Sequence, residues 1–279
     1  MKNILGILLV AGSLAQSGCD KIASGDRLIA VETVASDHTI LLTEFTGWQC
    51  LNCPKAAAAA KKLMDEYEGK VMVVGMHSYN NSFNEPGTIG PDFRTEEALA
   101  YSEYFGVSSL PVGTINQKVF NGNILQDYTA WIACAQQEIQ VDPDFMLRLS
   151  CTQSEYNARV LQIETTVTRL GELTDFADNP ALKLQIWVTE SNIIAPQILP
   201  NGQINNTYVH NHVLRGAING TWGESIDLIY EKEMVKTQIS YRLDSAWKPE
   251  NCSIIAFVYR DDTKAVLQSI WLNIGSPNL

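Results

Sequence analysis

The sequence has little positive charge for its length, and this shortage limits what the protein can bind. Its 279 residues include 20 Lys and Arg against 31 Asp and Glu, for a formal net charge of −11 at pH 7. The basic residues are dispersed, so no cluster is available to neutralise a phosphate backbone. The composition therefore excludes nucleic acid as a partner.

Long hydrophobic runs are also scarce. Beyond the first residues, no apolar segment approaches the length that a membrane-spanning helix needs. The one early run, residues 4–14, follows the basic residue Lys2, which is the order of a bacterial export signal. We therefore predict a signal peptide at residues 1–18 that is absent from the mature protein.

The segment Gln16-Ser17-Gly18-Cys19 resembles the lipobox of bacterial lipoproteins, in which small residues precede a cysteine that is lipidated. It departs from that pattern at Gln16, where leucine is preferred. The resemblance implies that Cys19 becomes the lipidated N-terminus and that residues 19–36 tether the protein to a membrane. The alternative is ordinary signal cleavage, which would leave Cys19 free.

Six cysteines in an exported chain indicate an oxidising environment in which disulfides persist. Cys19 is reserved for the lipid, and Cys50 and Cys53 form one pair. Three cysteines then remain, so at least one of them stays free or pairs outside this set. These three are Cys134, Cys151 and Cys252.

Residues 37–141 alternate between strand and helix patterns and predict a mixed α/β domain. Apolar runs rich in β-branched residues indicate buried strands, and alanine-rich or amphipathic segments indicate helices. The Gly/Pro/Asn-rich stretch at 78–93 predicts a functional or mobile loop. The predicted order is a strand at 39–45, a helix at 54–67, a strand at 71–76, a helix at 94–105, strands at 112–116 and 119–120, and a helix at 125–139.

From residue 142 onwards the hydrophobic pattern changes to alternation, which is typical of half-buried antiparallel strands. Pro143 disfavours helix in the residue before it and so helps to mark the boundary. We predict an all-β sandwich of the immunoglobulin-like or jelly-roll type over residues 142–279. The alternating runs lie at 145–151, 182–188, 254–258 and 266–272.

The two closely spaced cysteines, Cys50 and Cys53, follow a predicted strand and begin a predicted helix. Unpaired backbone N–H groups and the helix dipole stabilise a thiolate there, and the thiolate is the species that attacks disulfides. We therefore expect Cys50 to be the more exposed and more acidic thiol and Cys53 to be buried. A zinc site is the alternative, but it needs two more ligands and no such spacing is present. Neither a metal nor another cofactor is predicted.

The run Trp48-Gln49-Cys50-Leu51-Asn52-Cys53, together with Leu110-Pro111 before a later strand, resembles the thioredoxin superfamily over residues 37–141. The resemblance implies that Pro111 is cis and faces the dithiol. It also implies that Leu110 offers backbone hydrogen bonds to an extended substrate, with Trp48 as a second substrate-binding residue. The alternative for Pro111 is an ordinary trans proline before an edge strand.

Glu44 stands six residues before Cys50, on the strand that leads into the motif. In thioredoxins an acidic residue at this spacing lies behind the second cysteine and transfers its proton, so the resemblance assigns that role to Glu44 for Cys53. A carboxyl group in an apolar strand has its pKa raised by the loss of hydration. The alternative is that Glu44 faces solvent. Leu51-Asn52 stands where thioredoxin has Gly-Pro between its cysteines. The reduction potential of thioredoxin therefore cannot be assigned to Cys50 and Cys53.

Over its whole length the chain resembles outer-membrane lipoproteins of Bacteroidetes-type bacteria that join a thioredoxin-like domain to a C-terminal β-domain. Three features carry this resemblance: the lipobox, the run Cys50-Leu51-Asn52-Cys53-Pro54, and residues 208–215. It implies a lipid-anchored protein of the cell envelope, on the periplasmic or the surface face of the outer membrane.

Two short patterns in the second half are candidate sites. His210 and His212 would share one strand face and could bind a metal, but the lack of a third ligand nearby favours a hydrogen-bonded structural pair. Asp244-Ser245-Ala246 fits the three-residue pattern that such bacteria use for O-glycosylation, so Ser245 is a candidate for modification.

Two functions are consistent with these features. The first is a thiol–disulfide oxidoreductase acting on exported proteins that carry thiols or disulfides: Cys50 attacks, Cys53 resolves and Glu44 moves the proton. In the second, the β-domain binds a protein or glycan and the thioredoxin-like domain is only a scaffold. The combination of Cys50, Glu44 and Pro111 favours the first, because a scaffold has no physical need for all three.

Overall fold

The computed structural model describes residues 28–154, 157–171, 181–227 and 233–275, and it is mainly β-structure. The first part contains β1 (Leu28–Ala35), β2 (Ile40–Phe45), α1 (Cys53–Glu66), β3 (Val71–Met76), α2 (Glu96–Phe105), β4 (Val112–Ile115) and α3 (Trp131–Glu138). The remainder contains β5 (Phe145–Ser154), β6 (Asn157–Arg169), β7 (Leu182–Glu190), β8 (Ile193–Ile198), β9 (Ile204–His210), β10 (Val213–Ala217), β11 (Glu224–Ile226), β12 (Met234–Arg242), β13 (Cys252–Arg260) and β14 (Val266–Asn273).

β2 is the central strand of the first part. It pairs in parallel with β3, from Ile40↔Val71 to Phe45↔Met76, and antiparallel with β4. Every residue of β2 and β3 is buried, because α1 and α3 cover one face of these strands and α2 covers the other. Burial on both faces explains why these strands are continuous apolar runs.

α1 begins at Cys53, so the second cysteine occupies the helix N-terminus. Pro54 fits the first turn, where its missing N–H removes no helical hydrogen bond. The run Ala56–Ala60 follows, and alanine has the highest helix propensity. Ala56, Ala60 and Leu63 are buried against β2 and β3. The helix therefore holds Cys53 close to the carboxyl end of β2.

The second part packs two sheets face to face around one apolar core. A four-stranded antiparallel sheet has the order β1-β5-β6-β12, and it lies against β7, β13 and β14. Alternate residues of β5, such as Leu147 and Leu149, point into this core, as the period-two pattern requires. The alternating runs identified in the sequence lie in β5, β7, β13 and β14.

Leu28–Ala35 differ from the sequence prediction, which placed them in the membrane tether of residues 19–36. They form β1, which pairs antiparallel with β5 from Leu28↔Ser154 to Ala35↔Leu147. Val31 and Ala35 are buried in the core of the second part. The tether prediction is wrong for these residues, because one short alternating segment among polar neighbours gives too weak a period-two signal.

Two other predicted elements are shorter than expected. The strand predicted at 119–120 is only an isolated bridge between Phe120 and Asn123. The helix predicted at 125–139 begins at Trp131, because the Asp127 side chain accepts a hydrogen bond from the Thr129 N–H (2.9 Å) and holds the preceding residues in a turn.

The parts on either side of residue 142 share one sheet, with strands in the order β14-β13-β7-β10-β3-β2-β4. β10 joins β3 through the parallel pair Val213↔Gly75, and the Gly75 N–H donates to the carbonyl of His212 (2.8 Å). The second part therefore contacts the first near the carboxyl end of β3, at the same edge of the sheet as the dithiol. No helix within the described ranges is both long and apolar enough to cross a membrane.

Candidate functional site

Cys50 and Cys53 are joined by a disulfide at the start of α1. The backbone N–H of Cys53 lies 3.2 Å from Cys50 Sγ and donates to it. This N–H is one of the unpaired donors of the helix N-terminus, and it would stabilise a thiolate on Cys50 after reduction. The turn thus provides the chemical environment that a reactive thiol needs.

Both cysteines are buried, which differs from the expectation that Cys50 is exposed. Cys50 is 3% and Cys53 2% exposed, whereas Leu51 between them is 47% exposed. The sequence could not indicate this, because burial depends on packing between segments that are distant in the chain, such as the contact of Gln197 with the Cys50 carbonyl.

The loop at residues 78–93 packs on one side of the motif. The Trp48 indole Nε1–H donates to the Glu85 carbonyl (2.9 Å), and the Gln49 N–H donates to the Phe83 carbonyl (3.0 Å). Gly90 lies directly on the indole, where a side chain would collide with the ring. Trp48 is therefore buried and fixed by this loop, although the sequence suggested it as a substrate-binding residue.

Glu44 lies on β2 and is only 5% exposed. Its Oε1 is buried and has no hydrogen-bond partner. Burial raises its pKa to about 8, against an opposing hydrogen bond with Thr46. Glu44 is therefore a neutral acid at pH 7, able to give a proton, and it becomes a base in mildly alkaline conditions.

Glu44 and Cys53 line one cavity of about 440 Å³ between α1 and the chain from Tyr208 to Val213. The helix contributes small side chains, including Ala57 and Ala58. The polar lining comes from Glu44 on β2, Thr46 directly after β2, Lys61 on α1, His77, and the residues Gln197, Tyr208, His210, Asn211 and His212 of the second part.

The three histidines of the cavity are held neutral. Burial lowers the pKa of His77 to about 3 and those of His210 and His212 to about 4. Glu44 is also protonated at neutral pH, so these four titratable groups carry no charge there. Glu44 and the histidines are therefore available for proton transfer, and the charged side chain in the lining is Lys61, which pairs with Asp65.

The structure separates the two histidines that the sequence placed on one strand face. His210 ends β9, and its Nε2 lies 3.3 Å from the Pro196 carbonyl. His212 lies beyond the strand with φ of 57°, so the strand alternation does not extend to it. Across the residues that the structure describes, no group of three His, Cys, Asp or Glu is arranged to hold a metal ion.

The Leu110–Pro111 peptide bond is cis. It precedes β4, which pairs antiparallel with β2 through Phe45↔Val112. This register places Pro111 beside the end of β2, where the dithiol segment begins. Leu110 is half-buried against the apolar cluster formed by β2, β3 and α2.

The remaining predicted residues lie away from this site. Cys19 is outside the described residues. Ser245 is exposed in a turn after β12. Cys134, Cys151 and Cys252 are all free and buried, and burial raises their pKa, to about 12 for Cys151 and Cys252.

Gln197 is a site residue that the sequence did not reveal. It lies on β8, and its Nε2 donates to the carbonyl oxygens of Cys50 (3.2 Å) and Gly47 (3.4 Å). A glutamine that follows Pro196 on a short strand carries no local signal for this role. The contact joins residues 147 positions apart in the sequence.

Several solved structures are similar to this chain. HBP35 of Porphyromonas gingivalis has a TM-score of 0.65 and 17% identity, covering 86% of this chain and 76% of that one. A structural-genomics target from Agrobacterium tumefaciens has a TM-score of 0.50 and 13% identity, covering 88% of this chain and 98% of that one. These identities show a shared fold and nothing finer.

A domain of the outer membrane lipoprotein Omp28 from Porphyromonas gingivalis shares 24% identity, with a TM-score of 0.27, and the alignment covers 42% of this chain and 86% of that one. No curated protein sequence matches the chain significantly.

The family model for the outer membrane protein Omp28 matches residues 98–276, which is more than half of the chain. The match begins within α2, includes Pro111 and runs to the end of β14. It agrees with the export signal predicted at residues 1–18, and the location is the cell envelope, at the outer membrane. The chain therefore belongs to the Omp28 family of outer membrane proteins.

Proposed function

We propose that this protein is a membrane-anchored thiol–disulfide oxidoreductase with a thioredoxin-like first part, acting on envelope proteins that carry thiols or disulfides. One observation carries the proposal: a disulfide at a helix N-terminus has a buried, protonated Glu44 beside Cys53 in the same cavity. A disulfide that only braced the fold would gain nothing from a buried carboxyl group, which costs stability. Pro111, which the pairing of β4 with β2 places at the adjacent strand end, supports the same assignment.

The reaction begins when the thiolate of a partner dithiol attacks Cys50 Sγ. A mixed disulfide forms, the Cys50–Cys53 bond breaks, and Cys53 leaves as a thiolate that takes a proton from Glu44. The second partner thiolate then attacks the partner sulfur of the mixed disulfide and releases Cys50. The partner is oxidised to a disulfide and Cys50–Cys53 is reduced to a dithiol. The opposite direction uses the same atoms in reverse.

A turnover assay tests this proposal. The purified mature protein, supplied with a small dithiol, should accelerate the reduction of a model protein disulfide at least tenfold over Cys50→Ser. Cys252→Ser is the matched control, because that cysteine does not line the cavity and serine keeps the hydrogen bond that Cys252 Sγ donates to the Lys248 carbonyl (3.3 Å). Equal rates for the wild type and Cys50→Ser would refute the enzyme assignment.

A second function, a non-catalytic protein- or glycan-binding lipoprotein, is favoured by the extent of the family match. The match covers residues 98–276 and leaves out Glu44, Cys50 and Cys53, so what the family model describes does not include the dithiol. In that case the first part is a scaffold. Binding of an envelope component that is unchanged in Cys50→Ser, together with no turnover, is the result that would establish this function.

The lipid anchor makes a separate prediction. Lipidated wild-type protein should partition into the detergent phase, because the acyl chains are buried in micelles. Cys19→Ala should release the protein from the membrane or leave the precursor uncleaved. Cys134→Ala is the control, since that cysteine is buried within the fold. Recovery of the wild type wholly in the aqueous phase with another N-terminal residue would contradict lipidation at Cys19.

A further inference from the structure

The hairpin formed by β8 and β9 is hydrogen-bonded to the turn that carries Cys50, and we call it the cover. The Gln197 side chain, which is 3% exposed, donates to the carbonyl oxygens of Cys50 and Gly47. The Ile198 N–H donates to the Trp48 carbonyl (2.8 Å). The cover is therefore hydrogen-bonded to the backbone of the turn that holds Cys50. The acceptors include the carbonyls of Trp48 and Cys50, which flank Gln49.

The cover has little other support within the residues that the structure describes. β8 and β9 form a two-stranded sheet of their own, and an isolated hairpin of this kind is marginally stable. Its apolar contacts are few: Ala195 and Ile193 pack on Phe93 and Val213, and the His210 ring packs edge-on against Phe93 (4.9 Å). The outward side chain of Ile194 is 69% exposed. A segment with few buried apolar contacts opens at a smaller free-energy cost than the whole fold.

We infer that Gln197 controls access to the disulfide: it holds the cover closed over Cys50, and the cover must lift before a thiol can attack. This inference rests on the proposed function for its biological purpose and assigns a positioning role to a residue of the second part. The exchange itself is the one described above, with the partner thiolate bonding to Cys50 Sγ as Cys53 leaves. Gln197 forms no bond to either sulfur and acts only through the turn.

The Gln197 amide has a further hydrogen bond to the Ile198 carbonyl (3.0 Å), so its two N–H groups are shared among three acceptors. Removing these N–H groups should destabilise the closed form by about the net free energy of one hydrogen bond. This corresponds to roughly a tenfold increase in the population of the open form. Gln197→Glu should act more strongly, because a carboxylate cannot donate and faces carbonyl oxygens.

The test measures how fast dithiothreitol reduces the Cys50–Cys53 disulfide. Samples are alkylated at intervals, and the fraction of reduced protein is determined by mass spectrometry. Gln197→Ala should be reduced about tenfold faster than the wild type, and Gln197→Glu faster still. Gln203→Ala is the control, because Gln203 lies in the same hairpin turn and its side chain accepts a hydrogen bond from Asn201 (3.1 Å) within that turn. Equal rates for Gln197→Ala and the wild type would overturn the inference.

Hydrogen exchange of the wild type provides a second measurement that needs no variant. The Ile198 amide, which bonds to Trp48, should exchange far faster than the amide of Leu42 in the central strand. If both amides exchange only on global unfolding, the cover does not open on its own and the inference fails, whether or not Gln197→Ala folds.

These outcomes are separate from those of the proposed function. Dithiothreitol reduces any disulfide that it can reach, so the rate reports the cover and not turnover. Faster reduction of Gln197→Ala, with no turnover of protein disulfides by any variant, would support the cover and reject the enzyme. Turnover of protein disulfides, with equal reduction rates for Gln197→Ala and the wild type, would support the enzyme and reject the role of the cover.

Discussion

Replacing Cys53 by alanine is expected to trap mixed disulfides between Cys50 and envelope proteins. Without the resolving thiol, Cys50 can still attack a partner disulfide, but its own release then depends on an outside thiol. The N-terminus of α1 still stabilises the Cys50 thiolate in this variant, because the helix N–H groups are unchanged. Cys50→Ala should trap nothing, because it lacks the attacking thiol, whose thiolate the Cys53 N–H stabilises.

The measurement is a non-reducing gel of cells that carry each variant, with the partners identified by mass spectrometry. Adducts should be many times more abundant in Cys53→Ala than in wild type, and they should disappear on reduction. Cys252→Ser should match the wild type. If Cys53→Ala forms no adducts, or if Cys50→Ala forms as many, the assignment of Cys50 as the attacking thiol is wrong.

Glu44→Gln is expected to stabilise the protein in alkaline solution. The carboxyl group has a pKa near 8 when folded and 4.5 in the reference state, so unfolding releases a proton between these values and stability falls as pH rises. The penalty is absent below pH 4.5 and complete above pH 8, where it reaches about 5 kcal/mol. Glutamine has the same shape but never ionises.

Denaturant unfolding of the oxidised protein at pH 6 and pH 9 measures this effect. Between these values the wild type should lose about 3 kcal/mol of unfolding free energy more than Glu44→Gln does. All other titrating groups are common to both proteins, so the difference isolates Glu44. The same variant should slow proton transfer at Cys53. Parallel pH profiles for the two proteins would show that Glu44 is not buried as a neutral acid.

The local parts of the site could be predicted from the sequence. A continuous apolar strand interrupted by Glu44, a dithiol at a helix start, and a proline before a later strand each depend on neighbouring residues. Their positions follow from chain order: β2 places Glu44, α1 places Cys53 and β4 places Pro111. These are short-range relations, which patterns of hydrophobicity and helix propensity report well.

The long-range parts could not be predicted. β1 pairs with a strand more than a hundred residues later, Gln197 contacts Cys50 from the second part, and β10 joins β3 through one residue pair. Each contact is decided by tertiary packing between segments that are unremarkable alone. The burial of Cys50 was missed for the same reason, because the hairpin bonded to its turn is encoded far from the motif.

The reduction potential of Cys50–Cys53 tests the central claim most directly. The purified protein is equilibrated with glutathione or dithiothreitol buffers, and the fraction of dithiol is read by alkylation and mass. We predict a reversible two-electron couple within about −120 to −270 mV, the range of catalytic thioredoxin-like dithiols, with the fold intact in both states. A potential below about −300 mV, or unfolding on reduction, would show a structural disulfide and contradict the account.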